Sequence, residues 1–182
     1  MKILFVTTIS NTINAFLTPH IKMLIEQGHQ VDIACNIIGK ITPELLNWGC
    51  RVHCIEFSRD PFNKSNYKAY KKIKKLVLSE GYELIHTHTP VASFLTRLAC
   101  RNIPDVLILY TAHGFHFYKG APIKNWIVYY TLEKLAARWT DGLLTMNEED
   151  YKAAKKLRLR KANAVYKVNG VGVDLQKFIP QT

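Results

Sequence analysis

Seven short apolar runs recur along the chain, and their order predicts strands at Ile3 to Val6, Val31 to Cys35, Val52 to Phe57, Glu83 to His86, Val106 to Thr111, Gly142 to Thr145 and Val165 to Val168. Several of these runs are solidly apolar rather than alternating, as strands covered on both faces of a parallel sheet are. Between them, apolar residues recur at helical spacing. Helices are predicted at Asn14 to Gln27, near Pro43 to Trp48, and at Asn63 to Glu80, Val91 to Arg101, Ile123 to Trp139 and Glu148 to Leu159. Gly28 and Gly81 stand just past the last turns of two of them, where a helix ends most cheaply. Regular alternation of this kind predicts an α/β fold, a doubly wound, Rossmann-like, mainly parallel sheet with helices on both faces.

Ligands of such sheets bind outside the carboxyl ends of the strands, where strand-to-helix loops and helix N-termini converge. The strand exits carry Thr8, Ser10 and Asn11; Ser58-Arg59-Asp60; His86, His88 and Thr89; Thr111-Ala112-His113-Gly114-Phe115-His116, with Lys119 beyond; Asn147; and Asn169-Gly170. Four of the seven histidines therefore fall on one edge, while His20, His29 and His53 are read as structural.

Composition narrows the classes. At 182 residues and 48% hydrophobic content the chain suits one domain, which at this size buries about 70% of its unfolded surface. No stretch reaches the roughly 18 uninterrupted apolar residues of a membrane span, and the Met1-Lys2 start runs into a strand rather than a signal-peptide core. A cytoplasmic protein is expected, with Cys35, Cys50, Cys54 and Cys100 as free thiols beside apolar runs. The net charge of +11 is concentrated in residues 59–75 and 152–161, each a local +6, leaving the remainder nearly neutral. In the first segment Lys64, Lys68, Lys71 and Lys75 line one helix face opposite Ala69, Tyr70, Ile73, Leu76 and Val77. This is either a solvated face or one that rests on an anionic membrane surface. No recognition helix, RNP pattern or finger accompanies the charge, which argues against nucleic acid as a partner.

His86 and His88, at i and i+2, share a face if the strand continues, but no third metal ligand accompanies them, so a polar-site or loop-anchoring role is the reading and no metal site is expected. Cys50, His53 and Cys54 lack the second ligand pair of a zinc site. The run from Tyr110 to Gly120 is the most informative: a strand ends in Thr and His, a glycine follows, and aromatics, a second histidine and a lysine form the next loop. Aromatic faces and imidazoles beside a cleft suit a sugar, with its apolar C–H faces and hydroxyl edges; the alternative is that Phe115, Phe117 and Tyr118 simply pack the loop.

From the Met1-Lys2-Ile3-Leu4-Phe5-Val6 start, the Gly28-His29-Gln30-Val31 turn, His86-Thr87-His88-Thr89-Pro90, Tyr110 to Pro122, and Asn169-Gly170-Val171-Gly172-Val173-Asp174, the chain resembles the N-terminal domain of family 4 glycosyltransferases of the GT-B fold, above all those of capsular and exopolysaccharide synthesis. The resemblance implies that residues 1–170 are the acceptor-side domain and 171–182 the start of an interdomain linker. It places a donor-binding C-terminal domain outside this chain, in a natural protein about twice as long. It implies a retaining hexosyltransferase without cofactor or catalytic metal, taking a UDP-linked nucleotide sugar as donor and a lipid-linked saccharide as acceptor. A cytoplasmic location, peripheral on the inner face of the membrane, goes with it. His113 matches the family histidine beside the transferred sugar and takes the catalytic assignment. Thr8, Ser10, Asn11, His86, His88, Thr89, Gly114, His116, Lys119 and Asn147 are assigned to substrate, and Asn169, Gly170, Gly172 and Asp174 to the interdomain, donor-proximal region. One departure is visible: many members carry a Gly-Gly pair after the first strand, where this chain has Thr8-Ile9-Ser10-Asn11-Thr12. A single-domain nucleotide-binding module would show a GxGxxG loop, which is absent, whereas a partner-dependent half of a split glycosyltransferase stays open as a second reading.

Overall fold

The computed structural model describes residues 1–172. Asp174 lies outside them. The seven predicted strands form one all-parallel sheet: β1 (Lys2–Ile9), β2 (Gln30–Asn36), β3 (Val52–Cys54), β4 (Leu84–His88), β5 (Leu107–Ala112), β6 (Gly142–Thr145) and β7 (Val165–Lys167), in the order β3-β2-β1-β4-β5-β6-β7. The order reverses direction at β1 and β4, so the crevice between their carboxyl ends is the expected place for a ligand.

The first helix, α1, is continuous but not uniform, joining an α-helical turn at Ser10–Thr12, a π-helical turn at Ile13–Leu17 and an α-helix at Thr18–Glu26. The same construction recurs in α5, as Ile123–Asn125, a π turn at Trp126–Tyr130 and Thr131–Ala137. The remaining helices are α2 (Pro43–Asn47), α3 (Ser65–Glu80), α4 (Pro90–Cys100) and α6 (Glu148–Ala154). Gly81 ends α3 with φ of 64°, a left-handed cap that a β-carbon would strain. No helix among the described residues is long and apolar enough to cross a membrane.

Alternation along β1 divides the core. Ile3 and Phe5 pack with Ile13, Leu17 and Ile21 of α1, while Leu4 and Val6 pack with Ala69, Ile73 and Val77 of α3 and Ala92 and Ala99 of α4. Cys35, Cys50 and Cys100 are free and buried, and burial pushes the Cys35 and Cys100 thiols up to about 12, so they act as inert hydrophobes; Cys54 is free and exposed. Two strand ends differ from the sequence reading by three residues. β1 runs on through Thr7 and Thr8, whose polar side chains are nonetheless buried, and β3 stops at Cys54 rather than Phe57.

At the amino ends of the strands a separate polar knot ties the fold. Arg51 donates to the fully buried Asp32 at 2.7 Å and to Glu80 at 2.6 Å, and the Tyr82 hydroxyl donates to Asp32 at 2.8 Å. Burial would raise the Asp32 pKa, but these donors outweigh it and hold the carboxyl below its usual range. His53 belongs to this knot, with Nε2 3.2 Å from the Tyr82 hydroxyl, and His29 sits 3.3 Å from the amino terminus, so both are structural as read.

Candidate active site

β4 continues to His88, so His86 and His88 do point to one face, the face shared with Phe5 across the β1–β4 pairing. The rings crowd: His86 and His88 centroids are 4.3 Å apart, and Phe5 stacks on His88 at 5.7 Å with an interplanar angle of 16°. Thr111 of β5 fixes His86 through Nε2 at 2.8 Å. His113, at the exposed exit of β5, places Nε2 3.0 Å from Nδ1 of the buried His88. A cavity opens here, lined by these three histidines with Phe5, Leu17, Thr111, Leu144 and Met146, and closed by Gly170 and Val171 beyond β7.

His20 lines the same cavity. It is not remote, as its position in the sequence suggested, because α1 starts directly from β1 and its opening turns lie over the strand ends. The three-residue spacing from Leu17, which puts both on one helix face, was the available signal.

Burial lowers the pKa of His86 to about 4, with positive charge on His113 or His20 opposing its protonation further; burial lowers His88 well below the ordinary range and also lowers His113. The cluster is neutral at physiological pH. Nε2 of His88 is buried without a hydrogen-bond partner. A bare acceptor is tolerated better than a bare N–H. His88 therefore carries its proton on Nδ1 and donates it to Nε2 of His113, which leaves Nδ1–H of His113 as a donor at the rim.

A stability dependence on pH follows. Below about pH 6.5 the unfolded chain takes up protons that the folded cluster refuses, so stability falls as pH drops from about 6.5 towards 4, by on the order of 2–3 kcal/mol for His86 alone. Urea unfolding between pH 7.5 and 4.5 should show this slope. His86→Gln should flatten it, and a slope unchanged in that variant would exclude the cluster as its source.

The other assigned residues are not gathered in this cavity, apart from Gly170. Thr8, Thr89 and His116 line a second cavity, with Arg59, on the side of the sheet covered by α3 and α4. Thr89 has φ of 65°, a true outlier for a β-branched residue, and its hydroxyl accepts the Thr8 N–H at 3.0 Å and lies 2.7 Å from the Thr8 hydroxyl. His116 is drawn away from His113 and packs on Tyr129 at 4.6 Å, because Gly114 and the buried Phe115 turn the chain across the sheet edge. Asn11 and Lys119 are exposed, whereas Ser10 is buried and makes a long 3.5 Å bond to the Gly39 carbonyl.

Asn147 is spent on structure: its side chain caps α6 by accepting the Asp150 N–H at 2.8 Å and donates to the Asp150 carboxylate at 2.8 Å. Asp150, which sequence reasoning missed, accepts the Phe115 N–H at 3.1 Å, and Glu149 accepts the Lys119 N–H at 2.5 Å. The first turn of α6 thus pins the chain on both sides of His116, at Phe115, two residues beyond His113, and at Lys119. The Asn147-x-x-Asp150 spacing, a relative of the capping box, was the legible clue. Asn169 is exposed, and Gly170 and Gly172 have φ of 91° and 78° where the chain leaves β7. Among the described residues no group of three or more His, Cys, Asp or Glu is placed to hold a metal ion.

Comparison with known sequences decides the family. The model of Glycosyltransferase Family 4 matches residues 17–175. The chain belongs to that family. It is 40% identical over 181 residues to EpsD of Bacillus subtilis (strain 168), which is assigned as a glycosyltransferase, and covers 46% of that protein's length. It is also 34% identical over 164 residues to the UDP-Gal:alpha-D-GlcNAc-diphosphoundecaprenol alpha-1,3-galactosyltransferase of Escherichia coli, covering 41% of it. The chain thus spans about half the length of the curated relatives it matches. Among solved structures the fold superposes on sucrose-phosphate synthase from Thermosynechococcus elongatus with a TM-score of 0.69 at 14% identity, over all of this chain and 50% of that one. Anabaena Alr3699/HepE in complex with UDP and glucose gives 0.65 at 17%, over 97% and 46%. This family 4 chain therefore has the Rossmann-like fold of one half of a GT-B glycosyltransferase, related to exopolysaccharide and lipid-linked saccharide transferases.

Proposed function

We propose that residues 1–170 form the acceptor-side half of a retaining hexosyltransferase that moves a sugar from a UDP-sugar to a lipid-linked saccharide during bacterial surface polysaccharide synthesis. The observation that carries this is the neutral cluster of His86, His88 and His113 at the switch point of a family 4 fold. The donor's nucleotide is held by a second domain beyond residue 170, which closes over the cavity beside Gly170 and Val171. The reaction uses no cofactor and no catalytic metal, because the charge on the departing diphosphate is met by basic side chains and helix N-termini.

Within that arrangement the chemistry of this half is positional. His88, locked between Phe5 and His86, holds the His113 ring, and the outward N–H of His113 donates to a hydroxyl of the sugar in transfer. A neutral imidazole suits this task, since a charged ring would oppose the positive charge that builds on the sugar in an oxocarbenium-like transition state. The test is transfer by the full-length protein from UDP-hexoses to lipid-linked acceptors. Residues 1–182 alone should show no turnover; robust turnover by them would refute the two-domain reading.

The lysine face of α3 is assigned to the membrane in the same reading. Lys64, Lys68, Lys71 and Lys75 are all exposed, and Lys71 lies 4.4 Å from the centroid of the exposed Tyr67 ring. Each lysine near an anionic leaflet contributes about 1 kcal/mol, attenuated by salt. Full-length protein should co-sediment with anionic vesicles at low salt and less at high salt, and changing all four lysines to Gln should abolish the difference. Equal sedimentation of the quadruple variant would leave α3 as a solvated face.

A further inference from the structure

Beside the second cavity runs a groove that the sugar chemistry does not use. Its walls are apolar: Pro61, Phe62, Phe94, Phe115, Phe117 and Leu132, with Phe115 and Phe117 stacked at 4.6 Å between centroids. Phe62 is 78% exposed, which places a large apolar side chain in water at the mouth. A single exposed apolar side chain is ordinary, but this one borders a concave apolar groove, the form a ligand site takes. The groove and the polar cavity are continuous, because Pro90, Val91, His116 and Tyr129 line both.

The polar cavity contributes the opposite chemistry. Arg59 reaches into it with Thr8, Thr89 and His116, and forms no ion pair among the described residues. Its acidic neighbour Asp60 is folded back, accepting the Phe62 N–H at 3.0 Å, which also fixes the position of Phe62. A cationic pocket opening into an apolar trough has the shape of an amphiphile with an anionic head and a hydrocarbon tail.

We propose that the acceptor is gripped through its carrier: the diphosphate sits against Arg59 and His116, and the first isoprenyl units lie in the groove from Phe62 to Phe117. This rests on the lipid-linked acceptor reading and adds to it the subsite that distinguishes a lipid-linked from a free saccharide. The geometry is consistent with the His113 cavity, since His113 and His116 belong to one short loop that crosses from one side of the sheet edge to the other.

The probe is farnesyl diphosphate, compared with farnesol and with inorganic diphosphate, titrated calorimetrically into the full-length protein. Farnesyl diphosphate should bind at least about tenfold more tightly than either part alone. Phe62→Asp, at an exposed position that the fold does not need, should cost about tenfold or more for farnesyl diphosphate and clearly less for inorganic diphosphate, which meets only the added charge; Arg59→Gln should weaken both. Farnesyl diphosphate binding no more tightly than inorganic diphosphate, or equally to wild type and Phe62→Asp, would overturn the proposal. Transfer assays separate this from the function itself. Wild-type acceptor KM in Phe62→Asp removes the groove and leaves the transferase intact, whereas tight farnesyl diphosphate binding without any sugar transfer keeps the groove and removes the transferase reading.

Discussion

Replacing His113 by Ala in the full-length protein should lower kcat by about two orders of magnitude or more, with a smaller loss of stability, about 1–3 kcal/mol, from the buried His88 N–H left without its acceptor. The ring is exposed at the cavity rim, so its loss leaves no buried void. In the proposed role, its contribution would lie in a hydrogen bond whose donor is already oriented before the sugar arrives, at no further cost during the reaction. His88→Ala should act differently. It removes the partner that orients His113 and opens space against Phe5, so it should cost less in kcat, raise the acceptor KM and lower stability. Steady-state kinetics of the two variants beside their urea unfolding curves would separate the roles. Near-normal kcat in His113→Ala, at matched stability, would assign the ring to packing alone.

Arg97→Ala should be among the most destabilising single changes in the chain, at about 3–5 kcal/mol, which for a domain of this size lowers Tm by roughly 10 °C or more. Arg97 is 1% exposed and bonds both carboxylate oxygens of Glu133, at 2.5 and 3.0 Å; it also donates to the Ser93 carbonyl at 3.3 Å, and its guanidinium lies 4.3 Å from the Tyr110 ring centroid. Truncating it strands a carboxylate between α4, α5 and β5. Arg97→Met combined with Glu133→Leu should recover most of the loss, because the cost comes from the uncompensated charge rather than from the absence of a pair. Thermal unfolding of the single and double variants tests this. A double variant no more stable than Arg97→Ala would show that the pair itself contributes the stability.

This ion pair also shows where sequence reading ends. The strands were legible because burial on both faces demands continuous apolar runs, and the helices because one buried stripe demands a 3.6-residue period. Arg97 and Glu133 lie on different helices 36 residues apart, and each alone looks like an ordinary surface residue of an amphipathic pattern. The π turns in α1 and α5 escaped for a related reason: one extra residue per turn shifts the stripe slightly without breaking it. At the site, the alternation rule brought His86 and His88 to one face correctly once the strand reached His88. What it could not supply was the crossing of the loop after Gly114, which sends His116 to the far side of the sheet edge, or the placement of α1 that brings His20 in.

The strand order also sets a timetable. β1 is the first strand made, and its pairing with β2 can form early, but its other neighbour is β4, whose Leu84 pairs with Ile3 about 80 residues later in the chain. At roughly 5–20 residues per second, β1 leaves the ribosome several seconds before β4 exists, with one edge of backbone donors and acceptors still open. The crevice at the switch point, the candidate site, is the seam closed at that moment. Phe5 and the two β4 histidines meet only when it zips, so the centre of the site is also a late-closing joint of the nascent chain.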